Sequence, residues 1–195
     1  MVGFNGSRMR LESYYKIVTR YCVMSLVEDR DHALLHRLRR SPDARFLKPV
    51  DPDPLQQLAY IRNARNKAET GEELYFSIAD ITHPKDRLGF IRLADLQNES
   101  YFSFHSLIVN PGTSPHITID ALFTVQQVGF EKLRKERCDS LSVQIEHKRM
   151  LKIHKQMGIV KETGRDKEYV YLAGTWNDFV ARRDFFRRAG FGIPS

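Results

Sequence analysis

Three histidines, one carboxylate and a loop of turn residues are the groups in this 195-residue chain whose types and spacing suit ligand chemistry. The loop is Asn110-Pro111-Gly112-Thr113-Ser114-Pro115, between an apolar run and a helical pattern. Ser114 suits an N-cap and Pro115 the first helical position. A helix start carries unpaired N–H groups and a partial positive charge. The amides of His116, Ile117 and Thr118, helped by the Ser114 and Thr118 hydroxyls, can therefore hold a diphosphate without any cationic side chain. The plainer reading is a strand-to-helix connection.

Histidine exchanges a proton near neutral pH. His105 shares a strand face with Ser103 and Leu107, either as a proton acceptor or as a hydrogen-bonded core residue. His147, Met150 and His154 share one helix face. His154 is either a proton donor or a half-exposed residue on a very basic helix. Two imidazoles without a third ligand in register do not make a metal site, so none is expected. Glu99, just ahead of the strand that carries His105, is a further proton acceptor. The run KRMLKIHK at 148–155 suits a nucleic acid, a membrane surface or plain solvation.

The elements that must position these groups follow from local pattern. Residues 21–27 (YCVMSLV) read as a strand, and a helix ends at Ser41-Pro42. A second helix starts at Asp53-Pro54, with Gln56 placed for a capping box, and stops at Gly71. Residues 74–80, 87–94 and 101–109 alternate between short polar turns, which implies an antiparallel meander. A long amphipathic helix follows, with Ile117, Ala121, Val125, Val128 and Leu133 on one face. A strand at 139–145 completes a βαβ unit, whose two strands should be parallel. A basic helix at 147–157 stops at Gly158. A hairpin of 159–162 with 168–173 follows, and Thr175 with Asp178 caps a last helix.

Bulk properties narrow the class. Apolar content of 42% and charged content of 28% suit a globular domain with a full core. A net charge of +7 points to an anionic partner. The basic residues are spread out, which argues against nucleic acid. Cys22 and Cys138 form no metal or redox spacing and read as buried thiols in a reduced, cytoplasmic protein. No apolar run is long enough to span a membrane. The organisation expected is an extension at 1–20, one domain at 21–175, and a C-terminal helix and tail at 176–195. The tail and extension are available to a homodimer.

Three stretches carry a resemblance: LGFIRL (88–93), SLIVNPGTSPHITIDALFTVQQVGFEKL (106–133) and HKRMLKIHKQMGI (147–159). Their order and spacing over 21–173 resemble the GCN5-related N-acetyltransferase superfamily, nearest to its ribosomal-protein and amino-sugar N-acetyltransferase branch. The resemblance implies an α+β fold, with a mixed, mostly antiparallel sheet of about seven strands flanked by helices around a central βαβ cofactor-binding unit. It also implies an acetyl-CoA-dependent enzyme that transfers an acetyl group directly to a primary amine through a tetrahedral intermediate, with no metal.

The family's residue roles then fall on this chain as follows. Leu107, Ile108 and Val109 would pair with the pantetheine arm, and Ser114, His116, Ile117 and Thr118 would meet the diphosphate. His147 stands where the family often has Asn, on the helix face shared by Met150. His154 stands where a Tyr often protonates the leaving thiolate. The base for the amine would be His105, Glu99 or a water chain. The acceptor would be a small-molecule or nucleotide-sugar amine, or a protein N-terminus. A rival reading keeps the fold as a catalytically silent binding module, because the loop lacks glycines after Gly112.

Overall fold

A computed structural model describes residues 14–194. Eight strands form one sheet, in spatial order β1-β2-β3-β4-β5-β6-β8-β7. They are β1 (Lys16–Val18), β2 (Cys22–Leu26), β3 (Leu74–Asp80), β4 (His83–Ala94), β5 (Tyr101–Val109), β6 (Arg137–Gln144), β7 (Lys161–Arg165) and β8 (Tyr169–Thr175). The helices are α1 (His32–Arg39), α2 (Pro54–Glu69), α3 (Pro115–Gln127), α4 (Lys148–Gln156) and α5 (Trp176–Arg188). All pairings are antiparallel except β5 with β6, which α3 connects as the expected parallel βαβ unit.

Several expectations need correction. The strand count is eight rather than about seven, because Lys16–Val18 pairs with β2. β4 starts at His83, so the turn expected at 83–86 lies inside it. Asp80 pairs with His83 and Ala79 with Arg87, so residues 84–86 bulge out. Asp80 accepts from both the N–H and the hydroxyl of Thr82, at 2.8 and 2.6 Å, which closes the tight turn. α3 is not amphipathic. Asp120 through Gln127 are all buried, and the helix loosens into a π turn at Val128–Lys132. A helix buried on all sides is a core helix.

Most local signals for helix ends hold, although Gln56 does not complete the capping box expected at the start of α2. Asp53 caps α2 by accepting from Leu55 N–H at 2.9 Å. Thr175 and Asp178 form a reciprocal capping box at α5. Gly158 ends α4 with φ +92°, a conformation that suits glycine.

The sheet separates two cores. On one face, α3 and α5 build an aromatic stack. Phe123 and Phe179 stack at 5.7 Å, and Phe130 and Phe179 at 5.0 Å. On the other face, α1 and α2 bury Leu35, Leu38 and Ile61 against Tyr75 and Phe90. Burying each large side chain contributes roughly 1.5–3 kcal/mol. The α3/α5 core runs under strands on both sides of the line where β5 meets β6.

Candidate active site

The two central strands are paired only at Tyr101–Arg137 and Phe102–Cys138. Beyond these pairs they part, and a narrow slot of about 110 Å³ opens between Phe104 to Leu107 on one side and Leu141 to Gln144 on the other. His147, Met150 and His154 line this slot together from α4, as their shared helix face predicts. β5 also carries a bulge. Phe90 pairs with Ile108 but Arg92 with His105, so β5 has one extra residue. Ser106 absorbs it with φ 58°, a left-handed conformation uncommon outside glycine.

The slot joins a wider cavity of about 660 Å³ on the α1/α2 side. His105, Ser106 and Ser142 line both spaces, as do Phe46 and Leu47 from the α1–α2 connection. Arg39, Lys48 and Arg92 bring positive charge to the wider cavity, against one carboxylate, Asp51. Tyr60, Tyr169 and Tyr171 supply aromatic wall. Arg92 donates to Tyr60 Oη at 3.1 Å, and Arg39 to the carbonyl of Lys48 at 2.5 Å. The Nε atoms of both arginines are buried with no partner among the described residues. Buried donors without a partner are costly.

His105 is half-buried at the cavity wall and hydrogen-bonded. Its Nε2 lies 2.8 Å from Ser103 Oγ, and the Ser103 hydroxyl donates to Asp95. Burial, and then the adjacent Arg92, push its pKa down to about 4. The imidazole is therefore neutral near pH 7 and able to accept a proton.

His154 is not half-exposed; it is 4% exposed, with its ring 5.5 Å from Phe104. Burial, and then His147, hold its pKa at about 4. Its cationic form is scarce at neutral pH, so what it offers the slot is a neutral ring. Its Nδ1 is buried with no hydrogen-bond partner among the described residues. His147 stacks on Phe46, and burial followed by Arg45 and Arg149 lowers its pKa.

Other predicted residues sit elsewhere. Glu99 is exposed in the turn at the closed end of β5 and lines neither cavity. The bend at 99–100 and the strand from Tyr101 to His105, about 13 Å long, separate it from His105. The structure does not bring the two together. Leu107 lines the slot, whereas Ile108 is buried in the α1/α2 core and Val109 packs against the opposite core.

The helix start differs from expectation as well. Ser114 caps it, but the three amides expected to be open have acceptors in the turn. His116 N–H reaches Ser114 Oγ at 3.3 Å, and the N–H groups of Ile117 and Thr118 reach Ser114 O at 3.1 and 3.3 Å. The His116 ring stacks on Tyr21 at 5.3 Å, and Ile117 is buried. In the loop, Gly112 has φ +81° and open space around it. The helix start keeps its partial positive charge, and a diphosphate there would compete with Ser114.

Sequence reading missed Ser106, Arg39, Arg92, Tyr60, Tyr169 and Tyr171. Nothing local marks them, because they come from five separate segments. Among the described residues, no three His, Cys, Asp or Glu stand together in a way that could hold a metal. No described helix is long and apolar enough to cross a membrane.

This architecture, a sheet that parts beside a βαβ unit, is the fold of the GCN5-related N-acetyltransferases. FdhC, described as a nucleotide-linked sugar GNAT, superposes with a TM-score of 0.78 at 22% identity, over 90% of this chain and 98% of that one. RimJ from Mycobacterium smegmatis, in complex with CoA-disulfide, matches with a TM-score of 0.74 at 14% identity, over 92% and 97%. A GCN5-related N-acetyltransferase from Brucella melitensis matches at 0.68 and 14%, over 89% and 84%. No family model and no curated protein sequence matches the chain.

Proposed function

We propose that this protein is an N-acyltransferase that moves an acetyl group from acetyl-CoA to a primary amine on an anionic small molecule. One observation carries the reading: the narrow slot between β5 and β6 opens, at His105 and Ser106, into a wide cation-lined cavity. A slim acyl-bearing arm suits the slot, and a bulkier acceptor suits the cavity. The parted strand edge of β5 offers backbone groups to the arm near Leu107. His147 and Met150 flank it, and His154 meets its sulfur end with a neutral ring. A thiol of pKa about 8.5 leaves more readily when a hydrogen-bond donor meets it.

The acceptor side supports an amine linked to phosphate, such as a nucleotide-linked amino sugar. Arg39, Lys48 and Arg92 complement the phosphates, and the tyrosines offer stacking surface. A protein N-terminus would not need this charge. A reducing, cytoplasmic setting fits the two buried free thiols, Cys22 and Cys138.

Isothermal titration with acetyl-CoA is the first test, followed by thiol release over a panel of free amino sugars, nucleotide-linked amino sugars and peptides. Saturable heat, with thiol release on the nucleotide-linked amines alone, is the expected result. Absence of heat at millimolar acetyl-CoA defeats the reading. The second reading, a silent binding module, is favoured by the internally bonded amides at Ser114. It predicts anionic ligand binding in the wide cavity with no thiol release.

A further inference from the structure

The wide cavity and a second space on the same face of the sheet, toward the closed end of β5, are linked by three side chains. His105 lines the wide cavity. Ser103, next to it on the same strand face, is fully buried. Asp95 is exposed and lines another open cavity, of about 420 Å³, with Lys67, Glu72 and Glu73. Asp95 takes φ 61°, a left-handed conformation that aspartate tolerates better than most residues. In that conformation its carboxylate meets the Ser103 hydroxyl.

The polarity of the chain is determined by its acidic end. An ionised carboxylate only accepts, so Ser103 donates its proton to Asp95. The Ser103 oxygen must then accept from His105 Nε2–H, at 2.8 Å. This fixes the tautomer and leaves Nδ1 with its lone pair for a ligand in the cavity.

We propose that His105, Ser103 and Asp95 form a proton route from the acceptor amine along the α1/α2 face of the sheet to the solvent at its closed end, an inference that rests on the transferase reading above. Arg92 stands opposite His105 on β4, and Arg39 and Lys48 share the cavity with it; Tyr60, Tyr169 and Tyr171 are the uncharged titratable neighbours. Glu73 approaches Arg92 at 3.7 Å. Beside these cations the ring is a poor place to store a positive charge, as its depressed pKa also indicates. A proton arriving at Nδ1 must be passed on.

The step balances as follows. As the amine nitrogen bonds to the thioester carbon, its proton moves to Nδ1. The Nε2 proton moves to Ser103 Oγ, and the Ser103 proton moves to Asp95, which releases it to water in the outer cavity. When the C–S bond breaks, the Nδ1 proton goes to the departing sulfur. Nε2 recovers a proton from Ser103, Ser103 recovers one from Asp95, and Asp95 takes one from water. One proton has left the amine and one has reached the thiol.

The test uses the full chain, with Ser103→Ala, Asp95→Asn and the hydroxyl-retaining Ser103→Thr. Ring nitrogen-15 shifts report the tautomer, and steady-state kinetics separate kcat from KM. The expected result is an Nε2–H ring in the wild type and a loss of that fixed tautomer in Ser103→Ala. In Ser103→Ala and Asp95→Asn, kcat falls on the order of 100-fold with acceptor KM little changed, and Ser103→Thr recovers most of it. A wild-type ring protonated at Nδ1, or unchanged kcat in well-folded Ser103→Ala and Asp95→Asn, overturns the route while leaving acetyl transfer intact. A wild-type protein that binds no acetyl-CoA overturns the transferase reading, and the route falls with it.

Discussion

The ring of His147, at the start of α4, lies nearly flat against Phe46 of the α1–α2 connection, with centroids 4.2 Å apart and planes 18° apart. This contact joins elements from the two faces of the sheet across the gap between β5 and β6. Phe46 lines both cavities and His147 the slot, so the pair forms the roof where slot and cavity meet. Aromatic pairs of this kind contribute about 0.5–1.5 kcal/mol beyond their buried area. Phe46→Ala should raise KM for both acetyl-CoA and acceptor, with a modest fall in Tm. Phe46→Tyr should restore both. Kinetics with each substrate varied in turn checks this.

Arg39 lines the wide cavity, with one guanidinium nitrogen tied to the Lys48 carbonyl. Hydrogen bonds to charged groups contribute about 1.5–3 kcal/mol, or roughly 10- to 150-fold in binding. Arg39→Ala should raise the acceptor KM by about that factor and leave the Kd of acetyl-CoA unchanged. Arg39→Lys should recover only part, since an ammonium lacks the planar fork. Titration of both ligands into each variant separates the two sites.

Burial holds His154 neutral in the fold, with a pKa of about 4 against an ordinary 6.5. As pH falls below 6.5, the unfolded chain takes up a proton that the folded chain refuses until about 4. The unfolded state binds more protons in that window, so stability is lost as the solution becomes more acidic. For this one residue the loss is about 2 kcal/mol between about pH 7 and about pH 5. His105 titrates in the same window and adds to it. In His154→Leu, urea midpoints measured at those two pH values should lie closer together than in the wild type.

Asp120 on α3 gathers three donors from distant parts of the chain. Thr19 Oγ1 reaches it at 2.5 Å, Tyr21 N–H at 3.2 Å and Gly192 N–H at 2.6 Å. It ties the turn between β1 and β2, and the segment after α5, to the core helix. Asp120→Ala leaves the Tyr21 and Gly192 N–H groups unsatisfied, each costing about 1–3 kcal/mol where water cannot reach it, while the Thr19 hydroxyl keeps the Cys22 carbonyl at 2.8 Å. A drop in Tm with early proteolysis after α5 is the expected outcome. Asp120→Asn, which keeps an acceptor oxygen, should be milder.

What the sequence determined alone is what short-range chemistry dictates. The caps at Asp53, Ser114 and Thr175, the stop at Gly158, the meander of β3, β4 and β5, and the parallel crossover through α3 all rest on residues a few positions apart. The shared face of His147, Met150 and His154 belongs to the same group, because helix geometry alone aligns those positions.

Tertiary packing decided the rest. β1 is too short to announce itself, and it exists because β2 offers it an edge. α3 is buried all round because elements from both ends of the chain close over it, which no periodicity within the helix reveals. His154 is neutral and Glu99 is remote from the chemistry because of where the sheet parts. Asp95, Ser103 and His105 lie close in sequence, yet their alignment depends on a left-handed residue at the end of β4. Arg39, Arg92 and Tyr171 converge on one cavity from opposite ends of the chain. Such meetings arise from packing between segments far apart in sequence, and local propensity carries no record of them.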